Sequence, residues 1–192
     1  MASARKSSFG AFIGGALALL VLLVLIAAII ALGGFYPVGA SSQHSAPVRW
    51  LLTESRENSV KRSASGLKAP QFSAADIREG AGHFKGMCQE CHGGPGAEPE
   101  EFAAGMNPRP PNLAKAAGDL SVSEVFWIEK NGLKMTGMPS FAKTDPDEDL
   151  WKVAAFVKAM SKMSPADYAA IPNAHEQEHH HDMTGDKGRE SD

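Results

Sequence analysis

The strongest constraint on this chain is the short stretch MCQECHG, residues 87–93. It holds the chain's two cysteines, Cys88 and Cys91, three positions apart and followed directly by His92. A structural zinc site needs four protein ligands, usually including a second pair of cysteines or histidines, and no further cysteine is present. A thioredoxin-like dithiol lies in an α/β pattern, and the flanking sequence contains no strand-rich run. The C-x-x-C-H spacing therefore favours covalent attachment of haem.

Haem attachment would give each of these residues a role. The thiols of Cys88 and Cys91 would add across the two vinyl groups of the porphyrin, and His92 would be held at the iron as its proximal ligand. The opposite face of the iron then needs either a second axial ligand or an open coordination position.

A long uncharged segment, residues 9–36, precedes this motif. As a helix it would be about 40 Å long, enough to cross a membrane. Arg5 and Lys6 lie just before it, which favours a cytoplasmic N-terminus, residues 1–8, and an exported remainder. A cleaved signal peptide is the alternative, because Val38-Gly39-Ala40 resembles a cleavage site. The apolar run exceeds the roughly 7–15 residues of a signal core, so we expect a retained single-pass anchor in the bacterial inner membrane.

Residues 37–71 are polar and mixed in charge, and we predict a periplasmic linker. Trp50-Leu51-Leu52 is an apolar exception. Two interpretations stay open for this part of the chain. One is a short amphipathic helix from Val48 to about Val60, lying at the membrane surface with Trp50 at headgroup depth. The other is a solvated linker with a little local helix.

Residues 72–165 have the patterns of an all-α domain, with no alternating strand pattern of useful length. Helix start signals occur at three places, and Asn131-Gly132 is a stop signal for the middle helix. Gly80 falls on the apolar face of the first helix, where it would allow close approach of the last one. The start signals are Ser73 with Asp76, Ser121 with Glu124, and Asp145 followed by Pro146.

The end of the chain, residues 166–192, is polar and acidic, and we predict that it is disordered. Its histidines leave open a metal-handling role with copper, nickel or zinc. The net charge of the whole chain is −3, so no nucleic acid partner is expected. The histidines concerned are His175, His179, His180 and His181.

The segment from about Asp76 to Met160 resembles a class I monohaem c-type cytochrome. The resemblance lies in the first helix, the attachment motif, two loops and the last helix. It implies a small all-α, cytochrome c-like domain wrapped around one covalent haem c. The residues that carry it are Gly80 and Phe84, Cys88-Gln89-Glu90-Cys91-His92, Pro111-Asn112-Leu113 and Gly137-Met138-Pro139.

The resemblance also implies the remaining site residues. The sixth iron ligand would be Met138, in KMTGMPSF, with Met135 as its rival three positions earlier. The carbonyl of Pro111 would accept the proton on the other ring nitrogen of His92, which fixes the ring's orientation. The iron would thus be bound by His92 and Met138, and no catalytic residue is expected.

An iron with two strong axial ligands has no free position for a substrate, so the resemblance implies outer-sphere electron transfer. The protein would be a one-electron carrier of a respiratory chain, not itself an enzyme, on the outer face of the membrane. Its donor would be a quinol-oxidising complex or a dehydrogenase, and its acceptor a terminal oxidase or reductase. A haem enzyme or gas-binding protein with an open distal site remains the alternative, besides the metal-handling tail.

Overall fold

The computed structural model describes residues 2–174, within which there are eight α-helices, short 3₁₀ turns and no β-strand. The described chain divides into two units, residues 2–42 and residues 43–174. The all-α fold class predicted from the sequence is confirmed. The helices are α1 (Ala2–Leu32), α2 (Ala46–Ala64), α3 (Ala74–Met87), α4 (Gln89–His92), α5 (Leu113–Ala116), α6 (Val122–Asn131), α7 (Asp147–Ala159) and α8 (Pro165–Ala169).

The first unit contains the apolar helix α1. Its segment Phe9–Leu32 is 24 residues long and apolar throughout, and at 1.5 Å per residue it extends about 36 Å. It is therefore long and apolar enough to cross a membrane. The helix ends at Leu32, earlier than the predicted residue 36, because Gly33 and Gly34 follow and Gly34 adopts the left-handed conformation, with φ of 72°.

The core of the second unit lies where α3 crosses α7. A Cβ atom on Gly80 would overlap the backbone carbonyl of Lys152, so the crossing depends on glycine at this position, as the sequence indicated. Beside it Phe84 and Phe156 are fully buried, with ring centroids 5.3 Å apart. The attachment motif therefore begins at the end of α3, a helix that is packed tightly against α7.

The predicted helix starts are confirmed at two of the three positions. Ser73 with Asp76 and Ser121 with Glu124 both form reciprocal capping boxes. The third prediction, that Asp145 caps the last helix, is wrong. Pro146 is the N-cap of α7, and the Asp145 carboxylate instead accepts the hydroxyl proton of Thr144 at 2.6 Å.

Within the predicted linker, residues 37–71, the segment Ala46–Ala64 is helical and differs from a solvated tether. It forms α2, whose last turn packs against α6 and buries Val60 and Ala64, which are 4% and 3% exposed. After the helix, the Leu67 carbonyl accepts a hydrogen bond from the hydroxyl of Ser123. Apolar side chains at 60 and 64 lie one turn apart on one helix face, and burying them holds the end of the segment on the domain.

The fold also extends beyond the predicted domain end at residue 165. Helix α8 places Tyr168 against Phe156, and both Tyr168 and Ile171 belong to the core, at 2% and 4% exposed. The predicted tail from residue 166 therefore begins with core residues. The histidines proposed as metal ligands, from His175 onwards, lie outside the described residues.

Candidate haem-binding site

The attachment motif is wound into a single helical turn. Cys88 ends α3 and is also the N-cap of α4, and its carbonyl accepts the backbone N–H groups of Cys91 and His92 at 3.2 and 2.9 Å. Gly93 then ends the turn in the left-handed conformation, with φ of 65°. A Cβ atom there would lie 2.7 Å from the Ala97 carbonyl oxygen, so only glycine fits this exit from the motif.

The ring of His92 is oriented by the backbone of a distant loop. Its Nδ1 lies 2.9 Å from the carbonyl oxygen of Pro111, the contact that the resemblance implies. A carbonyl oxygen can only accept, so Nδ1 carries the proton and the lone pair of the neutral ring is at Nε2. Burial lowers the pKa of His92, opposed in part by the bond to Pro111. The ring is therefore neutral near pH 7 and presents Nε2 as a metal ligand.

The two thiols of the motif lie in unlike surroundings. Burial raises the pKa of Cys88 strongly, with a further contribution from the carboxyl group of Glu129. Burial raises the pKa of Cys91 as well, followed by the charge of Glu90. No disulfide joins the two cysteines. Both cysteines are thus free, and burial favours the protonated thiol at each.

Met138 lies in a closed loop that follows α6. The Leu133 N–H donates to the carbonyl of Met138 at 3.2 Å, while the Thr136 hydroxyl donates to the Leu133 carbonyl and accepts the N–H of Met138. Gly132 enters the loop with φ of 66° against the backbone of Pro139. The backbone around Met138 is therefore held by hydrogen bonds that do not involve its own thioether.

The loop after Met138 is attached to α6 by a second set of bonds. The Phe141 N–H donates to the Glu129 carbonyl at 3.1 Å, and the Ala142 N–H and Ser140 hydroxyl both donate to the Lys130 carbonyl. The methionine is thereby presented from a short, doubly anchored segment between α6 and α7.

The two other methionines of the region differ in their surroundings. Met135, the rival predicted from the sequence, is 87% exposed and has a left-handed backbone, with φ of 58°. Met106 is half-buried, and its sulfur would lie 3.0 Å from a Cβ atom placed on Gly137. Met135 thus extends from the Met138 loop into solvent, while Met106 packs against this loop from another part of the chain. Sequence reasoning missed this contact because 31 positions separate Met106 from Gly137 along the chain.

Glu129 is a buried acid that the sequence analysis also missed. It is 6% exposed, and its Oε2 has no hydrogen-bond partner among the described residues. Burial raises the pKa of Glu129 well above its usual value, so folding favours the protonated form of this carboxyl. A signal was available, because position 129 shares a helix face with Val125 and Phe126, both buried.

We expect Glu129→Gln to change the pH dependence of stability. The folded state retains the Glu129 proton to a higher pH than the unfolded chain, so this residue's favourable contribution is complete below the unfolded pKa of about 4.5 and is lost as pH rises towards the folded pKa. Glutamine does not titrate. The variant should match the parent near pH 4 and gain up to about 1.4 kcal/mol relative to it per pH unit above this. Thermal unfolding of the haem-loaded protein between pH 4 and 8 measures the difference, and parallel profiles would contradict it.

The donor set fits a covalently held haem. Two reduced thiols and a neutral imidazole with a free Nε2 come from one helical turn, and a thioether comes from a hydrogen-bonded loop. These are the residue types that hold haem c and ligate its iron.

Comparison with known protein families gives one match. Residues 75–157 match the family described as cytochrome C oxidase, cbb3-type, subunit III. The matched segment begins in α3 and ends in α7, so it includes the attachment turn, the Pro111 loop and the Met138 loop. No curated protein and no solved structure matches the chain.

Proposed function

We propose that this chain, whose residues 75–157 are a c-type cytochrome domain, carries single electrons through one haem c attached to Cys88 and Cys91. The iron would be bound by His92 on one side and by Met138 on the other. A haem held there would supply the one-electron chemistry, between the ferric and ferrous states of its iron. The protein's own residues retain the group, orient its ligands and keep the ligand set constant in both states.

One observation carries this proposal: the 2.9 Å contact between His92 Nδ1 and the Pro111 carbonyl. It joins residues that are 19 positions apart, and it gives the ring the tautomer that a metal ligand needs. An imidazole held in this way keeps its orientation when the oxidation state changes, which keeps the reorganisation energy of electron transfer small.

The membrane and the partners complete the proposal. Helix α1 would anchor the chain in the bacterial inner membrane, with the cytochrome domain in the periplasm. The family match supports a place within or beside a respiratory oxidase. Electrons would arrive from a quinol-oxidising complex or a dehydrogenase and pass to the terminal oxidase, and confinement to the membrane would keep the domain close to both.

An optical spectrum of the haem-loaded, full-length protein tests the proposal. We expect a low-spin, six-coordinate haem whose reduced form does not change on addition of carbon monoxide, because both axial positions are taken. Mass measurement of the chain should show one haem added covalently. A carbon monoxide-dependent shift in the parent protein would instead indicate an open-site haem protein.

A further inference from the structure

The first turns of α2 carry an unusual concentration of exposed apolar side chains. Within residues 43–174, six large apolar side chains are exposed, and four of them fall in five consecutive positions. We call these four the α2 collar. Its members are Val48, Trp50, Leu51 and Leu52, at 38%, 65%, 57% and 46% exposed.

The α2 collar surrounds the helix instead of forming one face. At 100° per residue, Trp50 and Leu52 lie on opposite flanks and Leu51 lies opposite the face that carries Val60. Only the sector of Val60 and Ala64 is buried against the domain. The collar is therefore not a core face that the domain left uncovered, because its side chains extend away from the helix in three directions.

The composition of α2 changes along its length. Beyond the collar its exposed positions are polar or charged up to Ala64, with three basic and two acidic residues, a net charge of +1, and Arg49 adds a further positive charge within the collar. A tryptophan-bearing apolar end next to a cationic shaft is the arrangement that suits the boundary between acyl chains and anionic headgroups.

The position of the collar in the chain agrees with a location at the boundary between acyl chains and headgroups. Thirteen residues, 33–45, separate α1 from α2, so even a fully extended connection reaches only about 45 Å. The collar is at the end of α2 that follows this connection, about 15 Å along the helix from Val60, where the domain holds it.

We propose that the α2 collar inserts into the interfacial layer of the membrane in which α1 is anchored, and that α2 thereby acts as a strut that holds the cytochrome domain at a set distance from the lipid surface. The inference rests on the proposed membrane anchoring. Trp50, Leu51 and Leu52 lie where the headgroups meet the acyl chains, while the charged shaft of α2 stays in water.

Depth measurement by spin labelling tests this strut. The haem attachment consumes both native thiols, so an engineered cysteine is the one free thiol of the haem-loaded, full-length protein. Leu51→Cys and Asn58→Cys form a matched pair, since both positions are exposed and lie within about 20° of one another around the helix, roughly 10 Å apart along it. Each variant is labelled with a nitroxide in nanodiscs of phosphatidylcholine and phosphatidylglycerol, with the haem reduced.

We expect the label at position 51 to be relaxed mainly by oxygen and the label at position 58 mainly by a water-soluble nickel chelate. Leu52→Cys provides a second collar position and should behave as position 51. Equal access of the nickel chelate to positions 51, 52 and 58 would overturn the proposal and would leave the collar as a surface for a protein partner. The optical spectrum of the same samples reports the haem ligation separately, so failure of the strut and failure of the electron-transfer proposal are distinguishable.

Discussion

Replacing Met138 with alanine should leave the haem covalently attached and remove its sixth ligand. The oxidised protein should lose the weak long-wavelength absorption of methionine–iron ligation, and its reduced form should bind carbon monoxide. The reduction potential should fall by a sizeable part of the roughly 0.8 V range over which axial ligands act, because a neutral thioether favours the ferrous state. The loop should persist, because Leu133 and Thr136 hold it through backbone atoms and the Thr136 hydroxyl.

Two other methionine variants are the controls for this result. Met135→Ala should change neither the spectrum nor the potential, since that side chain is 87% exposed. Met106→Leu keeps the volume next to Gly137 and removes only the sulfur, so it too should preserve the ligation signature. If Met106→Leu abolished the signature and Met138→Ala kept it, the sixth ligand would be Met106.

Gly80→Ala should have the largest effect on folding. The added methyl group would overlap the backbone carbonyl of Lys152, and backbone in the middle of α7 moves only if the two helices separate. We expect a loss of about 3 kcal/mol in the free energy of unfolding, at the upper end for overpacking, even though alanine favours the helix by about 1 kcal/mol. Denaturant unfolding of the haem-loaded protein measures the loss, and the yield of haem-loaded protein should fall with it.

Gly82→Ala is the matched control on the same helix. Its added Cβ would lie 3.2 Å from the Pro172 carbonyl oxygen and 3.7 Å from Ala174, near the end of the described chain and not against a helix backbone. The gain in helix propensity should offset the small displacement, leaving the free energy of unfolding within about 0.5 kcal/mol of the parent. Equal losses in the free energy of unfolding at positions 80 and 82 would show that the α3–α7 crossing does not limit side-chain size more strictly than the rest of α3.

Much of the site could be predicted because its parts are local. The C-x-x-C-H spacing predicts a single turn whose atoms are bonded within five residues, and Ser73 and Ser121 form their capping boxes within three. The contact of His92 with Pro111 was implied by the family resemblance and not by spacing. Neither the spacing nor the resemblance indicated the contact between Met106 and Gly137, because that contact depends on how two loops pack against each other.

The sequence by itself determined the helices α3, α6 and α7, the attachment turn and the apolar α1, since each depends on interactions between residues close along the chain. The tertiary structure decided where the folded domain begins and ends, because Val60 and Ile171 are core residues only through contacts with distant helices. It also decided that Glu129 is a buried carboxyl with a raised pKa and not a surface charge. Burial is the physical reason in both cases, because the contacts that bury a residue come from the whole packed chain.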